Sequence, residues 1–348
     1  MGLAHVKLRT RGSKTTIAKA PAPCSIYRTI CPSKKTTMGK AAHDPFGGVP
    51  AEERPAQSFT AFGLRAEAQP LPPGLHVVAT PIGNLGDISF RALATLAAAD
   101  AVLAEDTRVT KTLLAHYGIT TPLIAYHEHN AAVVRPHLLA RLGAGAALAL
   151  VSDAGTPLVS DPGFRLVADA LAADIAVTSV PGASAVLAAL VVAGLPTDRF
   201  FFEGFLPPKG AARRTRIAAL APIPGTLVFF ESPHRVAETL ADLAAVLGPR
   251  PAALARELTK HFETVRRGTL PDLAARLAAE PRPKGEIVLL VGPPSADEAA
   301  VSAETLDAKL AQALETLSVK DAAATVAAET GQPRRKVYAR ALELAGGR

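Results

Sequence analysis

A chain of 348 residues, 49% hydrophobic and 20% charged, is long enough for two domains with sizeable cores and fits a globular α/β protein. Its aliphatic runs, such as Ala183 to Ala193, are broken by Gly and Pro well short of the length a bilayer demands, which excludes a membrane-spanning helix. The formal charge of +7 is unevenly placed: residues 1–43 hold nine Lys or Arg and no Asp or Glu, leaving 29 basic against 31 acidic residues elsewhere. Any basic contact surface on the body is therefore local.

Both cysteines, Cys24 and Cys31, also fall in this leader. The body can hold neither a disulfide framework nor a cysteine-based zinc site, in keeping with a reducing cytoplasm. Residues 1–73 lack a sustained strand or helix period and read as disordered. Their basic, acid-poor bias is that of an organellar transit peptide without the Arg-rich amphipathic helix, and an over-extended start, with Met38 as the alternative, explains it more plainly.

Order is expected from Leu75, with the strand LHVVAT, a PIGNLGD loop and a helix from Ser89. Strand-like runs follow at Ala101 to Ala104, Leu123 to Tyr126, Ala146 to Val151 and Ile175 to Val180. Helical patterns lie between and after them, at Val109 to Tyr117, Ala131 to Leu142, Phe164 to Ala172 and Ser184 to Val192. This alternation predicts a largely parallel sheet with helices on both faces, spanning 74–194. A hinge is expected at Gly194-Leu195-Pro196-Thr197. The second α/β domain, 195–293, alternates less regularly, and the short link between AALAREL and FETVRRG favours an antiparallel pair in a mixed sheet. Beyond Pro293-Pro294-Ser295 the module 301–348 reads as all helical. Ser318 with Asp321 approximates a capping box, and the Gly331 to Pro333 turn leads into a helix bearing Arg334, Arg335, Lys336 and Arg340. The pattern suits a helix-turn-helix, and equally a docking hairpin with a solvated basic face.

The stretch LVSDAGTPLVSDPG, Leu150 to Gly163, is the centre of the first half. A buried strand empties into small residues that let a ligand touch backbone, and Asp161 suits an N-cap with Pro162 at the first helical position. A tight connection with no ligand fits the same residues. Phosphate-loop, dinucleotide-binding, nucleophile-elbow and zinc-helix patterns are all missing. His127 and His129, two residues apart in a loop, suit a polar cleft edge better than a metal site. Polar loops end each strand of the first sheet, and Glu231 to Arg235 and Arg256 to Lys260 can face them, so a ligand between the domains is expected. The carboxylates and imidazoles that can reach this cleft are Asp106, His127, Glu128, Asp161 and Glu257; each suits capping or pairing with Arg108, Arg235 or Arg256 as well.

TPIGNLGDIS, EDTRVTKTLL, YHEHN, SDAGTPLVSDPG, VPGASAVLAAL, FFESPHRVAETL and ARELTKHFETVRRG, in order, resemble the ribosomal RNA small subunit methyltransferase I family, of the class typified by the tetrapyrrole methylases. The terminal SVKDAAATVAAETGQPRRKVYARAL resembles that family's C-terminal module. The resemblance implies two α/β domains of the tetrapyrrole methylase type with the cofactor cleft between them. It implies methyl transfer from S-adenosylmethionine to the ribose 2′-hydroxyl of a cytidine in the decoding region of 16S ribosomal RNA, by a cytoplasmic homodimer without a metal. In that frame Pro81, Asp153, Gly155, Thr156, Ser184, Ala185, Phe230 and Glu231 surround the cofactor. Asp106, Glu128 and Asp161 are the catalytic candidates, and Arg108, His127, Arg235 and Lys260 meet the RNA. AGTPLVSDPG, with Thr156 where tetrapyrrole enzymes carry Asp, weakens a porphyrinoid acceptor. The alternatives are a tetrapyrrole or protein side chain as acceptor, or a non-catalytic RNA-binding assembly factor.

Overall fold

A computed structural model describes residues 57–160, 163–295, 306–330, 332 and 334–346. Cys24, Cys31, Met38, Asp161, Pro162, Gly331 and Pro333 lie outside the described residues. Order starts earlier than expected. β1 (Ser58–Ala61) and β2 (Leu64–Glu67) form an antiparallel hairpin inside the stretch read as disordered. Its two-residue turn puts Phe62 at φ 52° and Gly63 at φ 74°, both left-handed, which matches the twist of the flanking strands. Phe59 is buried against the first helix, and the Thr60 amide donates to the Tyr117 carbonyl at 2.7 Å. Strands of four residues with one buried apolar side chain give too weak a period to register in the sequence.

The first sheet contains β3 (Gly74–Val78), β4 (Ala101–Ala104), β5 (Leu123–Ala125), β6 (Ala147–Val151) and β7 (Val177–Val180), all parallel, in the order β5-β4-β6-β3-β7. Strands β3, β4 and β6 are buried along their whole length, which is why they read as unbroken aliphatic runs rather than alternating ones. Alternate residues feed two cores. Ala149 and Val151 pack with α1 (Phe90–Ala98) and α2 (Thr107–His116), while Leu148 and Leu150 pack with α3 (Ala131–Gly143) and α4 (Phe164–Ala172). α1 is capped by Ser89, whose hydroxyl accepts from the Ala92 amide at 3.0 Å. α4 begins at Phe164 with Gly163 in the cap position, two residues later than the cap expected at Asp161. Gly163, at φ 125°, takes a backbone geometry that an Asp cap does not supply.

The second sheet has β8 (Phe200–Phe205), β9 (Thr226–Glu231), β10 (Pro251–Arg256), β11 (Thr264–Thr269) and β12 (Ile287–Val291), in the order β11-β10-β12-β9-β8. β8 and β9 are parallel and every other pair is antiparallel, so the sheet is mixed, as the short β10–β11 link predicts. α6 (Gly210–Leu220), α7 (Val236–Leu247) and α8 (Leu270–Ala279) cover one face through Phe229, Leu254 and Leu289. The other face is covered by α5 (Ala185–Ala193), whose Val186, Ala189, Leu190 and Ala193 pack on Val228, Ala253 and Leu290. The chain therefore passes from one sheet to the other at 181–184, ahead of the expected hinge at Gly194. α5 is apolar on nearly every side, and this double-sided composition conceals which sheet it serves.

The terminal module has helical residues 306–313, α9 (Val319–Thr330) and α10 (Arg334–Gly346) around a separate cluster that includes Leu310, Val326 and Val337. Ser318 caps α9, its hydroxyl accepting from the Asp321 amide at 3.2 Å and donating to the Asp321 carboxylate at 2.6 Å. No helix among the described residues is long and apolar enough to cross a membrane.

Candidate functional site

Parallel β3, β6 and β7 deliver three loops to one edge of the first sheet, and hydrogen bonds join them into one surface. Thr80 and Gly155 exchange both backbone hydrogen bonds, at 2.8 and 3.0 Å, and the Thr156 hydroxyl donates to the Ala183 carbonyl at 3.1 Å. The Gly155 amide is thereby committed to Thr80 rather than held open. Gly155 itself stands at φ 81°, and Leu158 and Ser160 at φ 76° and 65°. A left-handed non-glycine residue costs about 1–3 kcal/mol, and two in one loop mark a conformation enforced by its surroundings.

The second sheet closes over this edge at two points. The bulge at Phe202–Gly204 brings Gly204 against Ser160, where an added Cβ would lie 3.0 Å from the hydroxyl. On the other side the Lys260 stem covers Gly83, and a Cβ at Gly83 would collide with it. Between the sheets a cavity of 410 Å³ is lined by Gly155, Thr156, Ser184 and Ala185 from the first, and by Phe205, Phe230 and Ile287 from the second. A neighbouring cavity of 430 Å³ is walled by Thr80 to Gly83, Thr110, Asp153 and Lys260. Ile82, Ala154 and Glu286 line both. Each volume is in the range of small-molecule pockets.

Of the cofactor candidates, Gly155, Thr156, Ser184, Ala185, Phe230 and Glu231 line the 410 Å³ cavity, and Pro81 and Asp153 the adjoining one. The Glu231 carboxylate is turned inward. Its Oε1 accepts from the Ser232 amide at 2.8 Å and its Oε2 from the Thr239 hydroxyl at 2.6 Å, with Arg235 Nη2 3.4 Å from the same oxygen.

The catalytic and RNA candidates are more dispersed. Asp106 lines neither cavity; it caps α2 through the Arg108 amide at 2.8 Å and pairs with the Arg108 guanidinium at 2.6 Å. That side-chain bond to Arg108, with the backbone bond second, lowers its pKa to about 2. The Arg108 side chain is 89% exposed. Glu128 is exposed and lines neither cavity, and Asp161 lies outside the described residues. The His127 amide donates to Asn130 Oδ1 at 2.9 Å, with the His129 ring 6.0 Å away. Among the described residues no group of three side chains is arranged to hold a metal ion. Arg235 Nη2 donates to the Leu206 carbonyl at 2.7 Å and so pins the segment after β8.

Lys260 lies in the cleft, with its ammonium 2.9 Å from Glu257 Oε1 and 3.0 Å from Glu286 Oε2. Burial pulls its pKa down, but the bonds to the two carboxylates outweigh that and the net shift is upward. The bond from Lys260, and then the Glu286 amide, lower that of Glu257. Glu286 was missed by the sequence reading. It sits in a Pro- and Gly-rich link ahead of β12, and no periodicity or spacing marks it.

S-adenosylmethionine, the donor implied by the resemblance, is an amphipathic cation with an adenine, a ribose and an amino acid. The 410 Å³ cavity fits such a group: small residues allow backbone approach, the first turn of α5 lines one wall without a side-chain cap from Ser184, and Phe205 and Phe230 offer aromatic surface 5.8 Å apart. Among the described residues no Lys or Arg lines it to repel a cation.

Residues 74–274 match the family model described as Tetrapyrrole (Corrin/Porphyrin) Methylases, and 299–345 the model of the RsmI C-terminal HTH domain. The chain is 52% identical over 278 residues to the ribosomal RNA small subunit methyltransferase I of Mesorhizobium japonicum, covering 80% of this chain and 94% of that protein. It is 50% identical over 279 residues to the protein of that name in Pseudomonas aeruginosa, covering 78% and 98%. Among solved structures it resembles a conserved hypothetical protein from Aeropyrum pernix K1, with TM-score 0.51, 20% identity and coverage of 80% and 98%. It also resembles a diphthine synthase, with TM-score 0.50, 16% identity and coverage of 63% and 89%, a likeness of fold alone.

Proposed function

Because this chain belongs to the tetrapyrrole methylases, and among them to the ribosomal RNA small subunit methyltransferase I family, we propose that it methylates 16S ribosomal RNA from S-adenosylmethionine, on the ribose 2′-hydroxyl of a cytidine in the decoding region. The observation that carries this reading is the pair of cavities meeting at Ile82, Ala154 and Glu286, one for a donor and one open to a nucleoside.

When bound, the donor supplies a methyl group already activated on a sulfonium. What falls to the protein is placing the acceptor oxygen in line, excluding water and taking up a proton. Gly155, Thr156, Ser184 and Ala185 would hold the amino acid and ribose, with Phe205 and Phe230 beside the adenine. The acceptor ribose would enter between Thr80 to Gly83 and Asp153. Arg108 and the exposed Arg334, Arg335 and Lys336 of α10 favour RNA phosphates.

We place the enzyme in the cytoplasm as a homodimer. Leu187 and Val191, 54% and 77% exposed on α5, and Phe200 and Phe201 on the edge strand β8, supply the apolar surface a self-association needs. Methylation assays with intact small subunits, naked ribosomal RNA and a precorrin test the acceptor. We expect ribose methylation of ribosomal RNA, read as an alkali-resistant dinucleotide. Transfer only to the precorrin, or calorimetry showing no binding of S-adenosylmethionine, would overturn the reading.

A further inference from the structure

Methylation of a ribose hydroxyl leaves one proton to be taken up, and a group that takes it must stand within hydrogen-bond reach of the attacking oxygen. That oxygen has to sit where the acceptor cavity opens onto the donor cavity. Three residues line both cavities, Ile82, Ala154 and Glu286, and Glu286 alone of these carries an ionisable side chain. We propose that Glu286 is the general base of this enzyme, receiving the proton of the acceptor hydroxyl. The proposal rests on the ribose-methylation reading and names the residue that completes it.

The surrounding bonds aim this carboxylate. The Glu286 backbone is clamped on both sides by Glu257: its amide donates to Glu257 Oε1 at 2.9 Å, and its carbonyl accepts from the Glu257 amide at 2.9 Å. Gly285, at φ 90°, makes the turn into it, and a Cβ there would strike the Glu257 carboxylate. Lys260 then holds Oε2 at 3.0 Å, while the side chain stays 75% exposed. The other carboxylates near the cleft are committed elsewhere. Asp106, bound by Arg108, and Glu257, whose Oε1 accepts from Lys260 and the Glu286 amide, line neither cavity, and Glu231 lines the donor cavity alone and is taken up by Ser232, Thr239 and Arg235. Asp153 lines the acceptor cavity alone, and its Oδ1 accepts from the Asp106 amide at 3.0 Å.

In the step itself a lone pair of the hydroxyl oxygen forms the O–C bond to the methyl carbon. The C–S bond breaks with its electron pair left on sulfur as a neutral thioether. The O–H pair stays on oxygen and the proton passes to the Glu286 carboxylate. One positive and one negative charge are consumed together, so no further reactant is needed.

The test uses the full-length protein, intact small subunits and S-adenosylmethionine. Single-turnover rates are measured for Glu286→Gln, Glu286→Ala and Asp153→Ala, with donor affinity by calorimetry and subunit affinity by filter binding. We expect Glu286→Gln to slow the rate about 100-fold while both affinities stay within about twofold, as for loss of a general base. Glu286→Ala, but not the wild type, should be accelerated by added formate, which a purely structural role would not produce. Near wild-type turnover in Glu286→Gln would sink the proposal. So would a loss confined to donor affinity, or formate rescue in an Asp153→Ala protein and not in Glu286→Ala. A wild-type protein that leaves every ribose unmethylated would instead remove the reading on which the proposal stands.

Discussion

Asp106 carries its negative charge into strongly acid solution because Arg108 binds it through both side chain and backbone. Its folded pKa of about 2 lies below the ordinary 3.8, so the stabilisation it gives is complete above the ordinary value and is lost as pH falls toward about 2. The difference in urea midpoint between wild type and Asp106→Asn should therefore be constant from pH 7 to about pH 5 and close at lower pH. A difference that grew with acid would show that Asp106 is held in its protonated form. Gly83 presents a different kind of constraint. At φ 142°, beneath the Lys260 stem, it admits no side chain without both backbone strain and displacement of the lysine. Gly83→Ala should cost about 1–3 kcal/mol in denaturant unfolding. The double variant Gly83→Ala/Lys260→Ala should recover only part of that, because the φ strain remains.

Among the elements, those held by local chemistry were legible and those held by distant partners were not. α8 begins at Thr269 with a full capping box: its hydroxyl accepts from the Asp272 amide and the Asp272 carboxylate accepts from the Thr269 amide. Thr269→Ala should lower stability by about 1 kcal/mol, seen as a small fall in thermal midpoint with methylation unchanged. The three central strands of the parallel sheet, β3, β4 and β6, are buried from end to end because both faces are covered, and that signature survives in one dimension. The β1–β2 hairpin leaves no such trace. It exists because Phe59 finds a pocket beside α1, a contact formed across a gap in sequence. α5 was placed correctly as a helix and wrongly as a neighbour, since Ala, Val and Leu on nearly every side give no direction to its packing.

At the scale of the whole molecule, the terminal helices have their own buried cluster and their own ion pairs, Arg340 with Asp307 at 2.6 Å and Lys309 with Glu329 at 3.1 Å. Arg340 is thus engaged within the module, and Arg334, Arg335 and Lys336 are the exposed cations of that helix start. Removing residues 301–348 should weaken binding of the small subunit more than binding of S-adenosylmethionine. The slope of RNA affinity against salt should flatten, since fewer counterions are released. Equal losses for both ligands would assign the module a structural role.

The parallel first sheet, the mixed second sheet and the gathering of polar loops at one edge were all set by local pattern: burial on both faces makes aliphatic runs, and short links leave room only for antiparallel return. The motifs carrying the family likeness were equally legible, since they are contiguous. Which carboxylate faces the reaction was decided by tertiary structure alone. Asp106 and Glu286 are both acidic residues beside a strand, and nothing along the chain separates them. Folding gives one to an arginine and sets the other where two cavities meet, because cavities are made by segments far apart in sequence.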